Sequence, residues 1–205
     1  MIKKPIVQFV ALVVFAVFVA GTWASGDGFK FGWLRFYSLA VFISYLGLVA
    51  WDNFIWRLPW TQKIKSVPRN LRGTWRGTLD SFWVDPKTGL SPDKKTVYLI
   101  IRQSATSISV VLLTDESRSV SSVGEVTDDH TVASLDYMYL NRPDSRVEHR
   151  SRMHHGSTSL DIIGRPATRL EGRYWTDRDT KGELEFVERR HQMVEGYQEA
   201  EAIFD

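Results

Sequence analysis

The sequence predicts a hairpin of two transmembrane helices followed by an all-β domain, an antiparallel up-and-down β-barrel of about eight strands that is lipocalin-like. Two uncharged apolar stretches lie in the first quarter of the 205 residues. After residue 70, short alternating apolar and polar segments recur at roughly ten-residue spacing, with turn residues between them. The chain has no cysteine, which excludes disulfides and thiolate metal sites.

The first apolar stretch runs from Ile6 to Ala24 without a charge. At about 1.5 Å per residue it is long enough to cross a hydrocarbon core of roughly 30 Å. The second stretch runs from Phe36 to Trp51 and extends to Trp56 if Asp52 lies at the interface. We therefore expect helices at about 6–24 and 34–56, within a membrane region of residues 1–58.

The positions of the basic residues predict the orientation of this region. Lys3 and Lys4 precede the first stretch, and several Lys and Arg residues follow the second, beginning with Arg57. The positive-inside bias then places both chain termini in the cytoplasm of a multi-pass protein. A cleavable export signal ending near Ala24 is the alternative, but the first stretch is longer than a usual signal core and a second follows at once.

A basic linker is predicted at residues 59–70, a barrel domain at 71–190 and a tail at 191–205. The tail is acidic and is expected to form a short helix or to stay loose. The alternating pattern predicts these strands: 71–79, 96–103, 107–114, 117–126, 131–140, 146–154, 159–163, 168–176 and 183–188. A turn is predicted at His155 and Gly156.

The alternation also predicts which side chains line the barrel. The strand that ends at Thr176 has Leu170, Gly172 and Tyr174 on the same face, and residues of the next strand would meet them. Such an interior would be apolar with several hydroxyls and a few charges. It suits a nucleotide-sized ligand better than a fatty acid, although eight-stranded barrels can also fill themselves with side chains.

The composition excludes several classes of function. From Arg57 onward there are 22 basic and 22 acidic residues, which argues against a protein that binds duplex nucleic acid. Neither a phosphate-binding glycine loop nor a nucleophile elbow is present. His154 and His155 are adjacent, and neighbours on a strand point to opposite faces, so a shared metal ion is not expected. We predict no enzyme, no catalytic residue and no metal.

Arginines and tyrosines suggest how a ligand could be held. Arg102, Arg150 and Arg152 are predicted within strands, where a guanidinium could meet a phosphate. Faces for base stacking are offered by Tyr137, Tyr139, Tyr174 and Trp175. The alternative for each arginine is an outward position with an ion pair to a nearby glutamate.

Three runs of the chain resemble a known family: Tyr137–Pro143, His154–Gly156 and Leu170–Gly182. With the two-helix layout, they resemble the two-transmembrane, β-strand-rich effectors of bacterial CBASS antiphage systems. The resemblance implies that the barrel binds a cyclic dinucleotide made by a nucleotidyltransferase (CD-NTase), with no other cofactor. It also implies self-association in the inner membrane, disruption of the lipid bilayer and death of the infected cell.

Side-chain chemistry and position nominate the ligand-binding residues: Trp75, Arg102, Tyr139, Asn141, Arg152, Tyr174 and Thr176. Two other classes of function remain open. One is a membrane-anchored, lipocalin-like binder of an apolar metabolite or lipid, and the other is a membrane protein whose barrel docks a partner.

Overall fold

The computed structural model describes residues 4–25, 34–86, 88–128, 132–149 and 151–205. The chain divides into two compact units, Met1–Trp56 and Arg57–Asp205. Most of the predicted loop between the helices, the residues around His130 and Arg150, which was predicted to lie within a strand, are outside the described residues.

The first unit contains two helices, α1 (Lys4–Ser25) and α2 (Leu34–Asn53). They pack closely at Gly47, where an added Cβ would lie 2.7 Å from Cζ of Phe9. Within the described residues, the segment Ser38–Arg57 is long and apolar enough to cross a membrane, and Gln8–Gly21 is a shorter apolar helix. Length and composition therefore support the span predicted at about 34–56, and the span predicted at about 6–24 stays a prediction.

The second unit is a closed barrel in which each strand pairs antiparallel with the next and β1 pairs with β8. The predicted fold class is confirmed. The strands are β1 (Gly73–Ser81), β2 (Lys95–Gln103), β3 (Ile108–Leu113), β4 (Ser117–Asp128), β5 (Ala133–Pro143), β6 (His154–Ile163), β7 (Arg169–Thr176) and β8 (Lys181–Arg190). Two short 3₁₀ helices, Ile55–Arg57 and Thr61–Lys63, precede the barrel, and α3 (Tyr197–Ala202) follows it.

The two ends of the barrel are distinguished by their connections. We call the end where β1 begins the linker end, because residues 57–72 enter the barrel there. The opposite end, where β1 ends at Ser81 and β6 begins at His154, is the far end.

Alternate residues of the strands fill the barrel, as the pattern predicts. Towards the linker end the interior is packed with fully buried side chains: Trp75, Leu99, Ile101, Leu135, Leu160, Leu170 and Phe186. The predicted face of β7 is confirmed, since Leu170 pairs with Phe186 and Gly172 with Leu184 of β8. This packing fixes the strand register, and the register positions the polar residues at the far end.

The tail packs on the outside of the barrel. Val194, Ala200 and Phe204 are buried against the outward face of β2 and β3, where they cover Tyr98 and Ile100. The rings of Tyr98 and Phe204 stack with centroids 5.8 Å apart. The tail therefore ends in a short helix that belongs to the folded barrel unit.

One predicted strand is wrong. Residues 145–149 form turns, Ser151 lies at a bend, and Arg152 and Met153 have no regular structure, so none of the described residues between 146 and 153 lies in a strand. The predicted turn at His155 and Gly156 is wrong as well, because both residues lie within β6. Arg152 is consequently a loop residue at the far end rather than a strand residue.

Candidate functional site

The far end of the barrel brings five of the seven nominated residues together. Tyr139, Gly156 and Thr176 occupy one row across three neighbouring strands, because Tyr139 pairs with Gly156 and Gly156 pairs with Thr176. Asn141 lies one inward position further along β5, where it pairs with His154. The row nearer the middle of the barrel includes Tyr174. Arg152 precedes β6 at the same end.

Gly156 allows this arrangement because it has no side chain. An added Cβ would lie 2.4 Å from the hydroxyl oxygen of Tyr139 and 2.8 Å from the carbonyl oxygen of Trp175. The phenol ring of Tyr139 thus occupies the interior space beside this strand. Tyr139 is 6 % exposed, and its ring centroid lies 6.0 Å from that of Tyr137.

Three buried polar atoms in this part of the barrel have no hydrogen-bond partner of ordinary geometry among the described residues. They are the hydroxyl oxygens of Tyr137 and Thr158 and Oδ1 of Asn141. Tyr137 and Thr158 are 4 % and 2 % exposed and face each other in register. Leaving such groups unsatisfied costs about 1–3 kcal/mol each. Their concentration at one end of the interior indicates a site that is completed by a polar ligand or by water.

Burial dominates the titration of the tyrosines in this interior. It raises the pKa of Tyr137 to about 12, and the neighbouring Thr158 hydroxyl offsets the shift only in part. Burial likewise raises the pKa of Tyr139 and that of Tyr174, the latter opposed by a hydrogen bond with Ser81. All three phenols are therefore neutral near pH 7 and can donate a hydrogen bond as well as accept one.

A surface cavity of about 400 Å³ opens at the same end of the barrel. It is lined by His149, Arg152, Met153, His154, Asp177 and Arg178. The Arg178 guanidinium donates to the hydroxyl of Ser151 and to the carbonyl of Arg152, both at 3.3 Å. The side chain of Asp177 accepts from the backbone N–H of His155 at 3.0 Å. Two arginines thus line this cavity, and the hydrogen bond between Asp177 and His155 joins its lining to β6 and to the end of β7.

His154 connects this cavity to the barrel interior. Its Nδ1 lies 2.9 Å from the carbonyl oxygen of Arg152, and because a carbonyl only accepts, Nδ1 carries the proton. In the neutral ring Nε2 is then an acceptor, and it lies 3.5 Å from Nδ2 of Asn141. Because Nδ2 of Asn141 is directed at His154, the buried Oδ1 of the same amide is the atom that can accept a hydrogen bond from a ligand.

The other two nominated residues lie towards the linker end. Trp75 is completely buried, donates through Nε1 to the carbonyl of Leu71 at 2.9 Å and has the Arg189 guanidinium 5.2 Å from its ring centroid. Arg102 is exposed on the outward face of β2, beside a different cavity. The structure therefore does not bring Trp75 or Arg102 together with the other five.

The sequence analysis did not nominate Thr158 or Arg178, and it named Tyr137 as a stacking candidate without including it among the ligand-binding residues. The alternating pattern of β5 and β6 places Tyr137 and Thr158 inward, so the register could have identified them. Arg178 follows β7 in a turn and carries no such signal.

The arrangement combines binding groups without a recognisable catalytic set. Within the part of the chain that the structure describes, no group of three or more His, Cys, Asp or Glu side chains could hold a metal ion. His154 and His155 point to opposite sides of β6, so they cannot share an ion. Guanidinium groups beside neutral phenols and an amide can hold an anion that also offers hydrogen-bond donors.

Comparisons with known proteins agree with this geometry. The chain matches the family described as "Cap15, cyclic dinucleotide receptor domain" over residues 66–188, which includes all eight strands except the last two residues of β8. It is also 29 % identical over 156 residues to CD-NTase-associated protein 15 of Staphylococcus schleiferi, an alignment that covers 76 % of this chain and 80 % of that protein. The resemblance to CBASS effectors is confirmed: the chain belongs to the Cap15 cyclic dinucleotide receptor family.

Proposed function

We propose that the far end of the barrel binds a cyclic dinucleotide and that binding activates the chain as a CBASS effector. The observation that carries the proposal is the set of buried polar atoms on β5 and β6 that lack an ordinary hydrogen bond among the described residues, at the same end of the barrel as a cavity with two arginines. A cyclic dinucleotide has two phosphodiester charges and bases rich in N–H donors and acceptors. It therefore matches both the arginines of the cavity and the buried polar atoms of the barrel interior.

Arg152 and Arg178 would hold the phosphates, because a guanidinium presents two parallel donors to phosphate oxygens. Asn141 Oδ1 would accept from a base N–H, and the hydroxyls of Tyr137 and Thr158 would complete the buried contacts. Tyr139, Tyr174 and Thr176 line the same region and would fix the orientation of the ligand. The proposed action is binding alone, without catalysis.

An apolar ligand is less well supported. The interior towards the linker end, where an acyl chain would have to lie, is filled by buried side chains such as Phe186 and Leu160. The surface of the far end carries charged groups, among them Arg152 and Asp177. Docking of a protein partner has no comparable observation in its favour.

The output of binding would be assembly of membrane helices. A ligand shifts a population only by its differential affinity for two states, so the assembly-competent state must bind the nucleotide more tightly. We propose that both helices are retained as an inner-membrane hairpin with the barrel in the cytoplasm. Clustering of these hairpins in the plane of the bilayer would then break the permeability barrier.

Calorimetric titration of the purified full chain in detergent micelles tests the ligand. A panel of cyclic dinucleotides and trinucleotides should contain one that binds, with an affinity lowered at least about tenfold by Arg152→Gln. Arg146→Gln is the matched control, because Arg146 is an exposed arginine of the same loop outside the cavity. Absence of binding across the panel would overturn the receptor role.

Dye release from vesicles that contain the full chain tests the output. The nucleotide that binds should trigger release in wild type, and Arg152→Gln should raise the concentration that is required. Binding without release at saturation would separate the receptor role, which would stand, from membrane disruption, which would fail.

A further inference from the structure

The linker end of the barrel is rich in basic side chains. Among the described residues, Asp128 faces several of them, and Arg169 at the start of β7 pairs with Glu171 and Glu185. Basic side chains that lack an acidic partner are the ones that can meet an anion from outside.

The carboxylate of Asp128 is paired with arginines of the same barrel unit. Its Oδ2 accepts from Nε of Arg69 at 3.1 Å and from a terminal nitrogen of Arg165 at 3.0 Å. Arg165 also donates to the carbonyls of Gln62, Ile64 and Val67 at 2.6–2.9 Å. This network fixes residues 61–69 to the barrel, so the linker is part of the rigid end rather than a loose tether.

Among the other basic side chains at this end, Lys63, Lys65, Arg72 and Arg102 have no ion pair to any described residue. All four are exposed. Arg72 and Arg102 border a surface cavity of about 360 Å³ that also has the serines 104, 107 and 109 at its edge. Lysines at the far end differ, since Lys95 lies within 3.2 Å of both Asp115 and Glu116.

Apolar side chains are exposed beside these charges. Leu58, Trp60 and Ile64 are 39 %, 60 % and 46 % exposed. An exposed Trp among Leu, Ile and Lys residues is the composition of segments that lie in a membrane interface. The fixed segment begins at Thr61, only a few residues after a helix apolar enough to cross a membrane.

We infer that the linker end of the barrel is a docking surface for anionic lipid headgroups. Arg72 and Arg102 contact lipid phosphates, Lys63 and Lys65 add to the attraction, and Trp60 and Ile64 enter the interface. The inference rests on the membrane anchoring in the proposed function. It gives Arg102 a role at the membrane instead of at the nucleotide.

The absence of cysteine allows a direct test. A fluorophore on Ala105→Cys reports on the linker end and one on Ser145→Cys on the far end, each in the full chain reconstituted into vesicles with a headgroup-attached quencher. With phosphatidylglycerol present, the label at 105 should be quenched strongly and the label at 145 weakly. In phosphatidylcholine alone, or in high salt, the quenching at 105 should fall.

Arg72→Gln/Arg102→Gln should lower the equilibrium constant for the docked state roughly thirtyfold, at about 1 kcal/mol for each basic side chain near an anionic surface. The matched control is Arg142→Gln/Arg146→Gln, which removes two exposed arginines from the far end and should leave the quenching at 105 unchanged. Equal quenching at 105 with and without phosphatidylglycerol would overturn the inference. Failure of the chain to enter vesicles at all would instead overturn the membrane anchoring.

Discussion

The two ends of the barrel differ in whether their buried polar groups have hydrogen-bond partners. At the linker end the partly buried carboxylate of Asp128 is satisfied by Arg69 and Arg165, and both guanidinium groups also donate to backbone carbonyls. At the far end the buried oxygens of Tyr137 and Asn141 have no hydrogen bond of ordinary geometry among the described residues. A satisfied network stabilises one arrangement, whereas unsatisfied groups are a cost that a ligand can remove. The difference indicates a structural end and a receptive end.

The largest expected effect of a single substitution lies at the linker end. Asp128→Ala leaves two partly buried guanidinium groups without their shared anion and should lower the free energy of unfolding by about 3 kcal/mol. Thermal unfolding of the full chain in micelles measures the loss. Glu125→Ala, an exposed position on the same strand, is the control and should change stability by less than about 0.5 kcal/mol. Equal losses in both variants would contradict the assigned role of the network.

Alkaline pH should lower the free energy of unfolding through the buried phenol of Tyr137 at the far end. The folded state holds the pKa of Tyr137 at about 12, above the ordinary value of 10.0, so the folded protein binds more protons between these values. Stability should therefore be fully present below pH 10 and should be lost as the pH rises towards 12, by roughly 2 kcal/mol for this group. Tyr137→Phe should remove that part of the loss. An identical alkaline profile in wild type and variant would show that this phenol does not carry it.

Thr158→Val should have a smaller effect and, unlike most substitutions of buried residues, should raise the free energy of unfolding. The isosteric change removes an unsatisfied buried hydroxyl and should raise the stability of the ligand-free chain by about 1 kcal/mol. The same change should weaken nucleotide binding several-fold, because the ligand loses a contact. Thr127→Val, at an exposed position of β4, should alter neither quantity. A destabilised Thr158→Val protein would mean that the hydroxyl is satisfied without ligand.

The sequence was sufficient for the barrel because its strands alternate with period two and are separated by turn residues. It failed at the start of β6, where Gly156 suggested a turn. The glycine is needed there because the ring of Tyr139, from the neighbouring strand, fills the space of a side chain. That requirement arises from a contact between strands, which local patterns do not contain.

The role of the tail was also hidden, although a signal existed. Residues Val97 to Ile101 form an unbroken apolar run, which is typical of a strand buried on both faces. The outward residues Tyr98 and Ile100 are covered by the tail. The acidic composition of the tail obscured its apolar residues, Val194 and Phe204.

Side-chain chemistry alone nominated a site that was partly dispersed. Tyr139, Asn141 and Thr176 come together because strand pairing aligns them, and alternation within each strand already predicts their inward direction. Arg102 has the right chemistry, but its outward position near the end of β2 places it beside the linker. The neutral total charge of the barrel unit likewise gave no hint that basic side chains of the linker and of β2 lie at the same end of the barrel.

Titration of one cyclic dinucleotide into two paired variants tests the assignment of the two ends most directly. Arg152→Gln/Arg178→Gln should lower the affinity by well over tenfold, whereas Arg72→Gln/Arg102→Gln should leave it unchanged within error. A loss of affinity confined to the second variant, or shared equally by both, would place the nucleotide at the linker end and contradict the account.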